Sequence, residues 1–181
     1  MNEALPSWSS VTREERYFSS TLFHELVRNP KPFWRLLSKQ LSAKLDVRNI
    51  GVADVGYEVC FFRDLARVGM VERQQRSLEK QTFDLVLTLE SGPLVIVEVK
   101  AQQAFNLKQL EKLREARNLI IASKKLPSRH RSVFIAGLCS SRARCDRSRP
   151  LLDGLIRWSD LRPYYPKIAA DLARADGLYQ N

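Results

Sequence analysis

Cysteine and histidine are both scarce in this 181-residue chain, which holds three of the first and two of the second. Cys60, Cys139 and Cys145 are odd in number and lack metal-ligand spacing, which excludes a disulfide-framework protein and suits a reduced, intracellular setting. Cys60 sits in an apolar stretch and reads as core. His24 and His130 lie near no cysteine pair, so a zinc centre is excluded as well. No run approaches the roughly eighteen apolar residues of a membrane helix, and no early stretch resembles a secretory signal. The expectation is a cytoplasmic protein with no membrane partner. Internal repeats and long low-complexity segments are also missing, which sets aside solenoids and arrays.

What is present is a 44% hydrophobic content with mixed charge, the profile of a globular chain long enough to bury a core. The net charge is +10 and unevenly spread. Residues 101–150 hold twelve Lys/Arg against three acids, nearly the whole excess. A polyanion is the simplest partner for such a segment, with salt-dependent binding expected. The plainer alternative is a solvated surface that aids solubility. No aromatic-interleaved sheet and no recognition helix stands out, and Trp158 and Tyr164-Tyr165 read as packing residues rather than base-stacking ones.

Periodicity predicts a helix over 11–28, with Thr12 as its cap and Glu14-Glu15 at its positive end. Asn29-Pro30-Lys31-Pro32 breaks it, and helical spacing resumes from Phe33 to Leu45. A third helix is expected from about Val55 to Val68, with Asp54 as cap and Gly69 as stop. Strands are expected at 71–78, 83–87 and 94–100, the last two joined by a Gly92-Pro93 turn. An amphipathic helix over 105–121 follows, then an apolar strand at 132–138, a flexible basic loop at 141–150 and a short edge strand at 155–158. This order describes an α/β protein with a mixed sheet flanked by helices, the 105–121 helix being a parallel crossover.

The densest chemical signal is Asp84, thirteen residues, then Glu98-Val99-Lys100, with apolar runs beside both ends. Side chains alternate along a strand, so Glu98 and Lys100 project the same way, and a pairing near the turn brings Asp84 alongside. Buried carboxylates and an ammonium are costly unless paired or holding a metal. A functional site is one reading. A structural ion pair at a strand end is the other.

Asp84, Glu98 and Lys100 resemble the signature of the PD-(D/E)XK nuclease superfamily, with Phe83 standing where the family's name carries Pro. The resemblance covers roughly residues 55–138 and implies a restriction-endonuclease-like fold. It divides the chain into a helical N-terminal extension (1–50), a nuclease-like core (51–166) and a peripheral C-terminal segment (167–181). It implies Mg²⁺, with Mn²⁺ as substitute, held by Asp84, Glu98 and the Val99 carbonyl. Lys100 would assist the nucleophile in hydrolysing phosphodiester bonds of nucleic acid, DNA ahead of RNA.

Many members add an acid from the first core helix. Glu58, with Phe61, Phe62 and Leu65 at helical spacing, is preferred over Glu25 for that auxiliary role. Gln102 continues the Glu98–Lys100 face toward the substrate backbone. The Gln submotif of exonuclease relatives is absent, since Gln109 is followed by Leu113. Lys108, Lys112, Lys124, Lys125, Arg129, Arg142 and Arg144 are the expected phosphate contacts, with Arg147 and Arg149 in the same basic loop. Two-strand cutting implies a homodimer. The rival reading is a non-catalytic nucleic-acid-binding or scaffold module that keeps the fold.

Overall fold

The computed structural model describes residues 15–41, 50–73 and 80–179, which form a five-stranded mixed sheet flanked by helices. Two helices come first, α1 (Glu15–Arg28) and α2 (Lys31–Leu41). They part at Asn29-Pro30 as expected, and Pro32 is tolerated because the first turn of α2 needs no N–H from it. The remainder of the two expected helices, at 11–14 and 42–45, lies outside the described residues. Phe18, Leu22 and Leu26 of α1 and Phe33, Leu37 and Leu41 of α2 are almost wholly enclosed. Each such side chain contributes about 1.5–3 kcal/mol on burial, far more than helix propensity does. Burial therefore fixes where α1 lies, and with it Glu15.

The strands are β1 (Val52–Val59), β2 (Phe83–Leu89), β3 (Leu94–Val99), β4 (Val133–Cys139) and β5 (Gly154–Arg157). They lie side by side in chain order, β1, β2 and β3 antiparallel in turn, then β3, β4 and β5 parallel. The helix α3 (Phe61–Arg67) follows β1, and α4 (Leu107–Ala122) is the expected crossover from β3 to β4. Asn106 caps α4, its Oδ1 accepting from the amides of Lys108 and Gln109. The short helix α5 (Trp158–Leu161) and α6 (Ala169–Gly177) complete the chain.

Both faces of the sheet are covered, which is why β3 and β4 read as continuous apolar runs rather than alternating ones. Leu85, Leu87, Val95, Val97 and Val99 pack with α1, α2, α5 and α6 in one core. Val86, Leu94 and Ile96 pack with α3 and α4 in the other. Leu172 and Ala175 of α6 belong to the first core, and Tyr17 donates to Asp171 Oδ1 at 3.1 Å. Among the described residues no helix is long and apolar enough to cross a membrane.

Three expectations are corrected. The helix over Val55–Val68 is in fact the second half of β1, a break at Cys60 and only seven helical residues, Phe61–Arg67. Val52, Val55, Tyr57 and Val59 are β-branched or aromatic and pair with β2, and that ladder outweighs the helical spacing of Glu58, Phe61, Phe62 and Leu65. Of the expected strand at 71–78, residues 71–73 are not extended into the sheet, and 74–78 lie outside the described residues. The loop at 141–150 is tied down rather than flexible. Asp176 accepts from the amide and hydroxyl of Ser141 at 2.6 Å, and Ala143, Cys145 and Ser148 are buried.

Candidate active site

Strand register assembles a row of acids. Tyr57 faces Leu85 and Val59 faces Phe83, so Glu58 stands opposite Asp84. Leu85 faces Val97, and the same register carried one residue further sets Asp84 opposite Glu98. Three carboxylates from three neighbouring strands thus line up where β1 and β3 end and β2 begins. Directly opposed residues have Cβ atoms about 4.5–5.5 Å apart. The row stops at β4, where Glu98 faces Gly137. A Cβ there would lie 2.6 Å from Phe105 Cζ, so glycine lets the Phe105 ring close the row.

Lys100 crosses this row. Its Nζ is 2.7 Å from Glu98 Oε1 and 3.6 Å from Glu15 Oε2. The side chains are 12% exposed for Lys100 and 2% for Glu98. The backbone beneath is tethered at every step. Val99 N donates to Asp84 Oδ2 at 2.8 Å, Lys100 N to Leu138 O at 2.8 Å, and Ala101 N to Glu15 Oε1 at 3.1 Å. Trp158 Nε1 donates to Lys100 O at 2.9 Å. Such tethering holds side chains in one geometry, as a preorganised site requires.

The charges do not balance. Glu15, Glu58, Asp84 and Glu98 gather around one buried ammonium, while Arg16, 3.5 Å from Glu58, has a side chain 77% exposed. Burial first, and then the Asp84 carboxylate, push the Glu98 carboxyl up to about 7. Burial also raises Asp84, with Glu58 and Glu15 adding to it, against the pull of the Val99 amide and Lys100. Burial disfavours the charged form of Lys100, yet Glu98, Glu15 and Asp84 outweigh it and hold the ammonium above its usual range. Glu98 Oε1 is buried and lies 2.7 Å from the Lys100 ammonium. A cavity of about 240 Å³ lies beside the pair, lined by Glu15, Arg16, Ser19, Glu58, Thr82, Asp84 and Val99 but not by Glu98 or Lys100.

Among the described residues no three His, Cys, Asp or Glu side chains form a ready-made metal cage. The donor set nonetheless fits Mg²⁺, which is held by one or two carboxylates and keeps several waters. The excess of carboxylate over ammonium at the site fits a cation from the same direction. A cleft of about 280 Å³ between Asp54, Asp64, Leu65 and Val86 is mostly apolar and does not include the acid row.

Glu58, expected on a helix, is on β1 and still reaches the site, with a left-handed backbone at φ 51°. Its sequence rival Glu25 bonds Arg28 within α1 at 2.8 Å. The acid that α1 does contribute, Glu15, was missed. Its one sequence signal was a place at a helix start, where an acid is unremarkable.

The basic residues divide between two poles. Gln102, Lys108, Lys112, Arg142 and Arg144 lie in the loops after β3 and β4 or on the first turns of α4, at the acid end of the sheet. Lys124, Lys125 and Arg129 follow the far end of α4, a 16-residue helix and so about 24 Å long. There His130 Nδ1 lies 2.7 Å from Gly92 O, beside the β2–β3 turn. These seven cations are exposed, and they do not form one surface. Trp158 and Tyr165 are core side chains, as expected, while Tyr164 is exposed.

Comparison with known protein families, with curated proteins and with solved structures finds no match to this chain.

Proposed function

We propose that the protein is a Mg²⁺-dependent nuclease of the PD-(D/E)XK type, hydrolysing phosphodiester bonds in nucleic acid, DNA ahead of RNA. The observation that carries this reading is the convergence of Asp84, Glu98 and Lys100 at one end of the sheet, with Glu98 buried and its carboxyl pushed up to about 7. A buried site with excess carboxylate costs stability unless a cation joins it. The order helix, antiparallel β1–β2–β3, crossover α4 and parallel β4 supports a restriction-endonuclease-like core.

Asp84, Glu98 and the Val99 carbonyl are the residues that would hold Mg²⁺, which supplies Lewis acidity toward phosphate and water when bound. Lys100 steadies the attacking water and the negative charge that builds on the phosphate. Glu15, bonded to Ala101 N and 3.6 Å from Lys100 Nζ, orients that ammonium. Glu58 serves as the auxiliary acid beside Asp84. Lys108, Arg142 and Arg144 grip the backbone on the acid side. Cutting both strands of a duplex takes two such sites, which a homodimer would supply.

One observation favours a non-catalytic binding module instead, namely the closed 2.7 Å pair between Lys100 and Glu98. Cleavage of supercoiled plasmid and labelled oligonucleotides in Mg²⁺, Mn²⁺ or EDTA separates the two. The nuclease reading expects metal-dependent cutting that Glu98→Ala and Asp84→Ala abolish. Salt-sensitive DNA binding with no cutting by the wild type would overturn it in favour of the module.

A further inference from the structure

Cys139 and Cys145 take no part in the acid–lysine cluster, yet the fold brings them together. Cys139 is the last residue of β4, and the chain turns back at once, Ala143 N donating to Ser140 O at 3.1 Å. The turn leaves Cys145 Sγ 3.6 Å from Cys139 Sγ, both side chains buried and neither bonded to the other. Cys60, the third thiol, lies against Thr82 Oγ1 at 3.3 Å, in a different part of the sheet.

A cation has been placed on this thiol pair. Arg157 Nη1 lies 2.9 Å from Cys139 Sγ and 3.5 Å from Cys145 Sγ. The same nitrogen donates to Ser140 O at 2.8 Å and Ala143 O at 3.2 Å, which fixes it over the turn. The guanidinium is half-buried and is shared between the two carbonyls of the turn and the two sulfurs. A guanidinium there favours sulfur in its anionic form, the form that exchanges with disulfides.

We propose that Cys139 and Cys145 are a reversible disulfide-forming site, oxidised by low-molecular-weight disulfides. The two sulfurs would close from 3.6 Å to a bond of about 2.05 Å. Cys145, the less enclosed of the two, gives up its proton to solvent and attacks the oxidant's disulfide, releasing one small thiolate that takes up a proton. Cys139 then loses its proton and attacks Cys145 Sγ, and the second small thiol leaves. Two protein thiols lose two electrons and two protons, and one small disulfide becomes two thiols. Burial, and then the neighbouring Cys145, push the Cys139 thiol up to about 12 against the pull of Arg157, which makes the closing attack the slower of the two steps. The site adjoins the acid cluster through Trp158, which follows Arg157 and bonds Lys100 O, but the inference does not depend on the nuclease reading.

The test treats the wild-type chain with oxidised glutathione, quenches in acid, unfolds and alkylates it, and maps the peptides by mass. The expected result is a Cys139–Cys145 link in most chains, Cys60 alkylated, and full reversal by dithiothreitol. Oxidation should also raise the thermal midpoint, a gain absent from Cys145→Ser. Three alkylatable thiols after treatment, or a lasting glutathione adduct on Cys145 with no link, would overturn the proposal. The mapping uses the native sequence, so it does not rest on any variant folding.

Discussion

Glu98 loses hydration, faces Asp84 across the ladder and has one cation to compensate it. In metal-free protein its carboxyl keeps its proton up to about 7, against 4.5 for the free side chain. The unfolded chain releases that proton first as pH rises, so between those values the folded state binds more protons. Stability through this group is therefore full below about 4.5, declines as pH rises and levels off above about 7, a total change on the order of 3 kcal/mol. Thermal melts across pH in EDTA should show this decline, and Glu98→Gln should flatten it. An unchanged slope in the variant would remove Glu98 as its source.

Glu58 has a second kind of cost, a left-handed backbone that a side chain with a Cβ adopts at a penalty. Its ion pair with the largely exposed Arg16 returns little. Glu58→Gly is expected to raise stability by about 1 kcal/mol in urea unfolding. A loss of stability would mean that the Arg16 pair outweighs the strain.

At the scale of elements, β2, β3, α4 and β4 were legible because their signals are local: a Gly-Pro turn, short apolar runs and a helical stripe with the Asn106 cap. Asp84 and Glu98 were legible for the same reason, since the hairpin that opposes them is built from adjacent chain. β1 was not. Its identity comes from pairing with β2 across the segment between, while Phe61, Phe62 and Leu65 of the short α3 extend a helical pattern backwards over Glu58. Glu15 was hidden by distance, for its bond to Ala101 spans 86 residues and only the packing of α1 on the sheet creates it. The buried Phe18, Leu22 and Leu26 that hold α1 in place say where the helix docks but not which end meets the acids. Gly137 has the same long-range character, being required by Phe105, Leu152 and Leu155 around it. Gly137→Ala should cost about 1–3 kcal/mol by overpacking, read as a lower urea midpoint at unchanged slope. Wild-type stability would show that those side chains have room to move.

Across the whole molecule, the basic excess in residues 101–150 is real in sequence but divided in space, because α4 carries the chain from the acid end to the β2–β3 turn. Among the acid-end cations, Arg142 and Arg144 sit on a loop that Asp176 and Arg157 tie down. Arg142→Ala with Arg144→Ala should lower the salt dependence of DNA binding by about one unit of slope per side chain and slow cleavage. Lys124→Ala with Lys125→Ala should leave the cleavage rate of a short duplex nearly unchanged. Equal effects from both pairs would mean that the substrate spans both poles.

The central claim is that the acid row holds a metal while Lys100 serves the chemistry, and single-turnover DNA cleavage by Lys100→Met, read beside its Mg²⁺-induced gain in thermal midpoint, tests it most directly. The account predicts a rate lower by about 100-fold or more with the Mg²⁺ stabilisation retained. Cleavage at the wild-type rate by Lys100→Met, or a wild type that neither cuts nor gains stability with Mg²⁺, would contradict it.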